Sequence, residues 1–155
     1  MSTQTAKGRL AWEDRFTIPA ASALIAGLPP HLSVIAEHAR AKLATVESVR
    51  EEVAWQGVWR WTFTFVASID GVRPWAYLVP DPTKLRLSIP VPASMMTDMP
   101  VKKLPKFVRD GLLHAPLVGQ IKWPMWELQG KGQVDDILEL SRFKLSMLTP
   151  KQAMV

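Results

Sequence analysis

The sequence predicts an α+β domain: a single antiparallel sheet of four to five strands with helices packed mainly on one face. Two patterns carry this reading. Apolar and polar residues alternate through most of 58–91, the period of a strand, whereas in 31–46 and 134–148 apolar residues recur three and four apart, the period of a helix. The strands also follow one another directly instead of alternating with helices, which favours antiparallel neighbours.

The elements follow in order. Residues 1–8 are polar and are expected to be a flexible tail ahead of a single domain, 9–155. Pro19 suits the first turn of a helix over Ala20 to Ala26, and Gly27 stops it. After Pro29-Pro30, the stripe Leu32, Ile35, Ala39, Leu43 and Val46 predicts a second helix from about His31 to Thr45. Val49 to Trp55 fits either a continuation of that helix or a first strand. Gln56-Gly57 reads as a turn.

The next stretch organises the rest. Trp59, Trp61, Phe63 and Phe65 fall two apart, so on a strand over 58–66 they share one face and require a large partner surface. Asp70-Gly71 predicts a tight hairpin, with a return strand from Arg73 to Val79 on which Trp75, Tyr77 and Val79 share a face. Pro80-Asp81-Pro82 is a second turn. Leu85, Leu87, Ile89 and Val91 then alternate with Lys84, Arg86, Ser88 and Pro90, a half-buried strand with a basic outer face, and Pro90 requires an edge, a bulge or a strand end. Pro105 marks the start of a helix to Leu113. Ile121 to Leu128 reads as a last strand bulged at Pro124, and Gly130-Lys131-Gly132 as a turn. Asp135 and Asp136 are expected in the first turn of a closing helix that ends at Pro150.

The chain has 155 residues, enough to bury a core unaided, and no cysteine. Disulfides, thiolate zinc sites and cysteine nucleophiles are thereby excluded. Met1 to Gly8 lacks the apolar run of a signal peptide, and no stretch approaches the ~18 apolar residues of a spanning helix. A soluble cytoplasmic protein with no membrane partner is expected. The net charge is +5. Between Lys84 and Lys131 eight cations face three carboxylates, so that segment carries the whole excess.

The segments Trp59 to Phe63, Ala76 to Pro80, Leu85 to Val91 and Asp135 to Leu140 with Lys144 resemble a bacterial family of small α+β proteins, domain of unknown function 3788. The resemblance covers roughly residues 17–146 and implies a fold and a bacterial source. It implies no reaction, since the family carries no assigned activity.

No catalytic motif stands out. His31 and His38 lie seven apart, whereas helical metal pairs usually sit three or four apart, and no metal or cofactor is expected. His114 at a helix end suits the dipole, and the adjacent Asp135 and Asp136 cannot face one another on a helix. Gly130-Lys131-Gly132 lacks the phosphate-loop ending, and no serine sits in a nucleophile elbow. Seven tryptophans are many for this length. The leading expectation is a binding domain that holds a small apolar or aromatic ligand in a cavity between sheet and helices, lined by Trp59, Trp61, Phe63, Trp75, Tyr77 and Trp123. A second is a nucleic-acid or anionic-surface module using Lys102, Lys103, Lys106 and Arg109. A third is an enzyme of unassigned reaction with Arg60, Asp70, His114 and Glu127 around the same cavity, and a fourth is a homo-oligomer with tryptophans between subunits.

Overall fold

The computed structural model describes residues 10–46, 49–67 and 74–153, with 148–153 as backbone only. The expected tail, 1–8, and the Asp70-Gly71 hairpin lie outside the described residues. The fold is α+β. The main sheet has the strand order β1-β2-β3-β4-β8, with β1 Val49–Trp55, β2 Trp61–Ala67, β3 Ala76–Asp81, β4 Lys84–Ser88 and β8 Trp126–Glu127, all neighbours antiparallel. A small second sheet, β5-β7-β6, is built from β5 Val91–Pro92, β6 Leu117–Val118 and β7 Ile121–Lys122. The helices are α1 Ala21–Ala26, α2 Pro30–Leu43, α3 Lys106–Leu113 and α4 Lys131–Ala153. None is long and apolar enough to cross a membrane.

Helix α2 follows its apolar stripe: Leu32, Ile35, Ala36, Ala39 and Leu43 are buried. It lies over the sheet face that carries Phe63 and Phe65. Its Arg40 stands 4.7 Å from the Phe63 ring centroid and grips Glu51 of β1 through both carboxylate oxygens, at 2.8 and 2.7 Å. On α4, Val134, Ile137, Leu138 and Leu140 are buried, and Asp135 Oδ1 meets His38 Nε2 of α2 at 2.8 Å. Trp126 of β8 packs its indole against Gly111 of α3, where any side chain would collide with the ring. That contact explains a glycine in the middle of a helix, where it otherwise costs stability.

One open alternative is resolved and four local expectations are corrected. First, Val49 to Trp55 is a strand, paired along its whole length with β2. Second, β2 begins at Trp61, not at Val58, because Gly57–Trp59 forms a short 3-10 turn and Arg60 has φ 63°. Third, the predicted strand Leu85 to Val91 is split at Ile89-Pro90: proline has no N–H for the ladder, and the chain leaves the main sheet for the small one. Pro124 divides β7 from β8 in the same way. Fourth, Pro80 is paired within β3, and the turn falls at Pro82 and Thr83, where Asp81 Oδ1 accepts from the Thr83 backbone and hydroxyl. Fifth, α4 takes in Gly130's neighbours Lys131 and Gly132 and runs through Pro150 to Ala153. Asp135 therefore bridges two helices instead of capping one.

The basic outer face predicted for β4 is also less open than expected. Ser88 is 1% exposed, and Arg86 is half-buried. Both faces of the sheet centre are covered.

Candidate functional site

The six aromatic residues expected to line one cavity divide between the two faces of the sheet. Thr64 and Tyr77 are direct cross-strand partners, so they point to the same side, while Phe63 and Phe65 point to the other. Trp59 lies with Tyr77, ring centroids 5.2 Å apart, and Tyr77 lies 5.8 Å from Trp123. Trp61 lies with Trp55 at 5.5 Å, on the Phe63 side. Trp59 and Trp61 thus sit on opposite faces, against the expected alternation, because the left-handed backbone at Arg60 reverses the chain's side-chain order between them. Trp75, just ahead of β3, turns away from Tyr77 to α4. Its indole N–H donates to Ser141 Oγ at 2.8 Å, and the Lys144 ammonium stands 4.3 Å from its ring centroid.

On the helix side these rings are packed. Trp61, Phe63 and Trp75 are 6%, 0% and 0% exposed. The Trp61 indole N–H is satisfied by the Asp14 carbonyl at 2.7 Å. On the other side Trp59 and Trp123 remain half-exposed above Tyr77.

The basic segment builds a more open feature. Met99 and Leu104 are buried and pin the chain on either side of a 3-10 turn, Val101–Lys103. Val108 and Leu112 bury the inner face of α3, which begins after Pro105. Pinned in this way, Lys102, Lys103 and Lys106 are exposed, and Arg109 is half-buried with Nη1 3.3 Å from the Leu104 carbonyl. Between the turn and α3 runs a groove of ≈ 720 Å³. Met96, Met99, Pro100, Val101 and Leu113 give it apolar walls, and Lys102, Lys103 and Arg109 edge it. Lys106 is not part of it. Its ammonium bonds Asp110 Oδ2 at 2.6 Å and, chiefly through that bond, holds the Asp110 carboxyl below the usual carboxylate range. Lys102 and Lys103 pair with no carboxylate among the described residues.

No protein-family model matches this chain, and neither does any curated protein or any solved structure.

Sequence reasoning reached the groove's cations but missed its walls. Met96 and Met99 lie in a stretch without strand or helix period, and their only signal was a cluster of large flexible apolar residues beside Pro100. The four polar groups considered for catalysis do not converge. Arg60 bonds Glu13, the His114 ring bonds the Asp110 carbonyl, Glu127 is exposed on β8, and Asp70 lies outside the described residues. Among the described residues no three His, Asp or Glu side chains gather where a metal ion would sit.

Proposed function

We propose that this protein is a small-ligand binding domain and that its ligand is an amphipathic anion, with an apolar body and one acidic head, held in the groove between the Val101–Lys103 turn and α3. The observation that carries this reading is the pairing of apolar walls with cations at one edge. Methionine walls adapt to irregular apolar shapes, and a volume of ≈ 720 Å³ falls in the range of small-molecule sites. Among the described residues Lys102 and Lys103 hold no carboxylate, so an incoming anion breaks no pair there. Arg109, fixed by the Leu104 carbonyl, offers its remaining donors to a carboxylate head.

Calorimetric titration with decanoate, and with 1-decanol as the uncharged control, tests the proposal. Decanoate should bind once per chain and raise the melting temperature by mass action. 1-Decanol should bind about tenfold more weakly, and Lys103→Glu with Arg109→Glu should weaken decanoate by at least about tenfold, the effect of losing charge-assisted hydrogen bonds. Equal binding of both compounds, or none, rejects the groove as the site.

One observation favours a second reading, in which a flat ligand rests on Trp59 and Trp123. Beside Tyr77 on that face, Ser88 Oγ and Arg86 Nε are buried without hydrogen-bond partners among the described residues. The groove contains no tryptophan. Ligands that quench tryptophan emission saturably therefore favour the aromatic face, and those that bind without quenching favour the groove.

A further inference from the structure

The surface next to the groove exposes more aliphatic area than a solvated face needs. Leu113 is 48% exposed, Leu117 59% and Val118 63%. Leu113 ends α3 and also walls the groove, while Leu117 and Val118 form β6, one of the two edge strands of the small sheet. Leu113 and Leu117 belong to one patch, whereas Val118 points to the opposite face of the small sheet. Lys122 Nζ donates to the Leu113 carbonyl at 3.0 Å, and Leu117 stands directly opposite Lys122 across β6 and β7. At 100° per residue, Leu113 shares its flank of α3 with Lys106 and Arg109. The aliphatic patch is therefore bordered by Lys102, Lys103, Lys106, Arg109 and Lys122. The nearest carboxylate on that helix, Asp110, is already occupied by Lys106.

We infer that this face docks on an anionic lipid bilayer. Leu113 and Leu117 enter the boundary between headgroups and acyl chains, and Lys102, Lys103 and Arg109 rest on the lipid phosphates. The arrangement fits a bilayer better than the other partners of such a patch. A second copy joined about a two-fold axis would set this basic rim against itself. A nucleic acid would satisfy the cations but leave the aliphatics with nothing to bury against. The lack of a spanning helix is no obstacle, because a peripheral surface needs none. Docking also places the groove mouth at the membrane, so that an amphipathic anion passes between bilayer and groove without crossing water. That last step rests on the groove reading above, whereas the docking itself does not.

Flotation of the full chain with vesicles tests the inference. The protein should float with an equal mixture of phosphatidylcholine and phosphatidylglycerol, not with phosphatidylcholine alone, and the floated fraction should fall as salt rises. Leu117→Ser, on an exposed edge strand, should reduce partitioning about fivefold while leaving decanoate affinity unchanged. Far-ultraviolet circular dichroism confirms that this variant is folded, and Lys102→Glu with Lys103→Glu provides an independent loss of flotation. A wild-type chain that stays unbound to the anionic vesicles overturns the inference, as does a serine variant that floats like wild type. Dimerisation abolished by the serine variant, with no flotation, assigns the patch to a second copy and also overturns it. Flotation without decanoate binding keeps the docking surface and removes the groove reading.

Discussion

Arg60 shows how one residue redirects a sheet. Its φ of 63° and ψ of −147° lie in a region that essentially only glycine occupies without cost, and strain of that kind is worth about 1–3 kcal/mol. Two contacts hold it there. Nη1 bonds Glu13 Oε2 at 2.7 Å, and the guanidinium stands 5.0 Å from the Trp12 ring centroid. The same conformation sends Trp59 to the far side of the sheet, where it meets Tyr77. Strain and contacts are separable by substitution. Arg60→Ala loses the contacts and keeps the strain, whereas Arg60→Gly loses the contacts and relieves it. The glycine variant should therefore be the more stable of the two by about 1 kcal/mol, read from paired denaturant melts. Equal stabilities would show that the backbone at this position is unstrained.

Among the elements, α2 and β1 are joined by a single fork. Arg40 is raised above the ordinary arginine pKa, first by its hydrogen bond to Glu51 and against the opposing effect of burial. A raised pKa means that the stabilisation carried by the guanidinium charge is fully present at neutral pH and, on the alkaline side, is lost only as pH rises through the raised value. Arg40→Ala should accordingly cost about 1–2 kcal/mol in thermal or urea melts, and the cost should not change across neutral pH. A penalty that vanishes in high salt would reduce the fork to a screened surface pair. The elements also mark how far the sequence could be read. The stripe on α2, the Pro105 start of α3 and the inner face of α4 were legible because one face of a regular period is buried. The start of β2 was not, since an arginine in a glycine conformation leaves no compositional trace. Nor was the placement of Lys144, which is 0% exposed against Trp75 although its spacing from Ser141 puts it beside the buried stripe. A lysine at such a position is ordinarily read as solvated. The groove walls were hidden for a third reason, because they come from a turn, an irregular segment and a helix end that only the tertiary fold brings together.

At the scale of the whole molecule, charge decides between partners. The basic excess was legible from Lys84 to Lys131, and its distribution in space favours a short rim over a continuous track. Lys106 is committed to Asp110, Arg86 leans on Asp81 at 3.5 Å, and Lys122 is bound to the Leu113 carbonyl. Lys102, Lys103 and Arg109 remain together at the edge of an apolar groove. A duplex presents one phosphate charge per ~1.7 Å of helix axis, and tight nonspecific binding needs many of them neutralised at once. A rim of three cations releases few counterions. Retention on a DNA or RNA column should therefore be confined to low salt, with a slope of log affinity against log salt no steeper than about −3. Lys102→Glu with Lys103→Glu should abolish that retention. A markedly steeper slope in the wild type, or one unchanged by the double reversal, would mean that a larger surface engages the phosphates, and the nucleic-acid reading would then displace the groove.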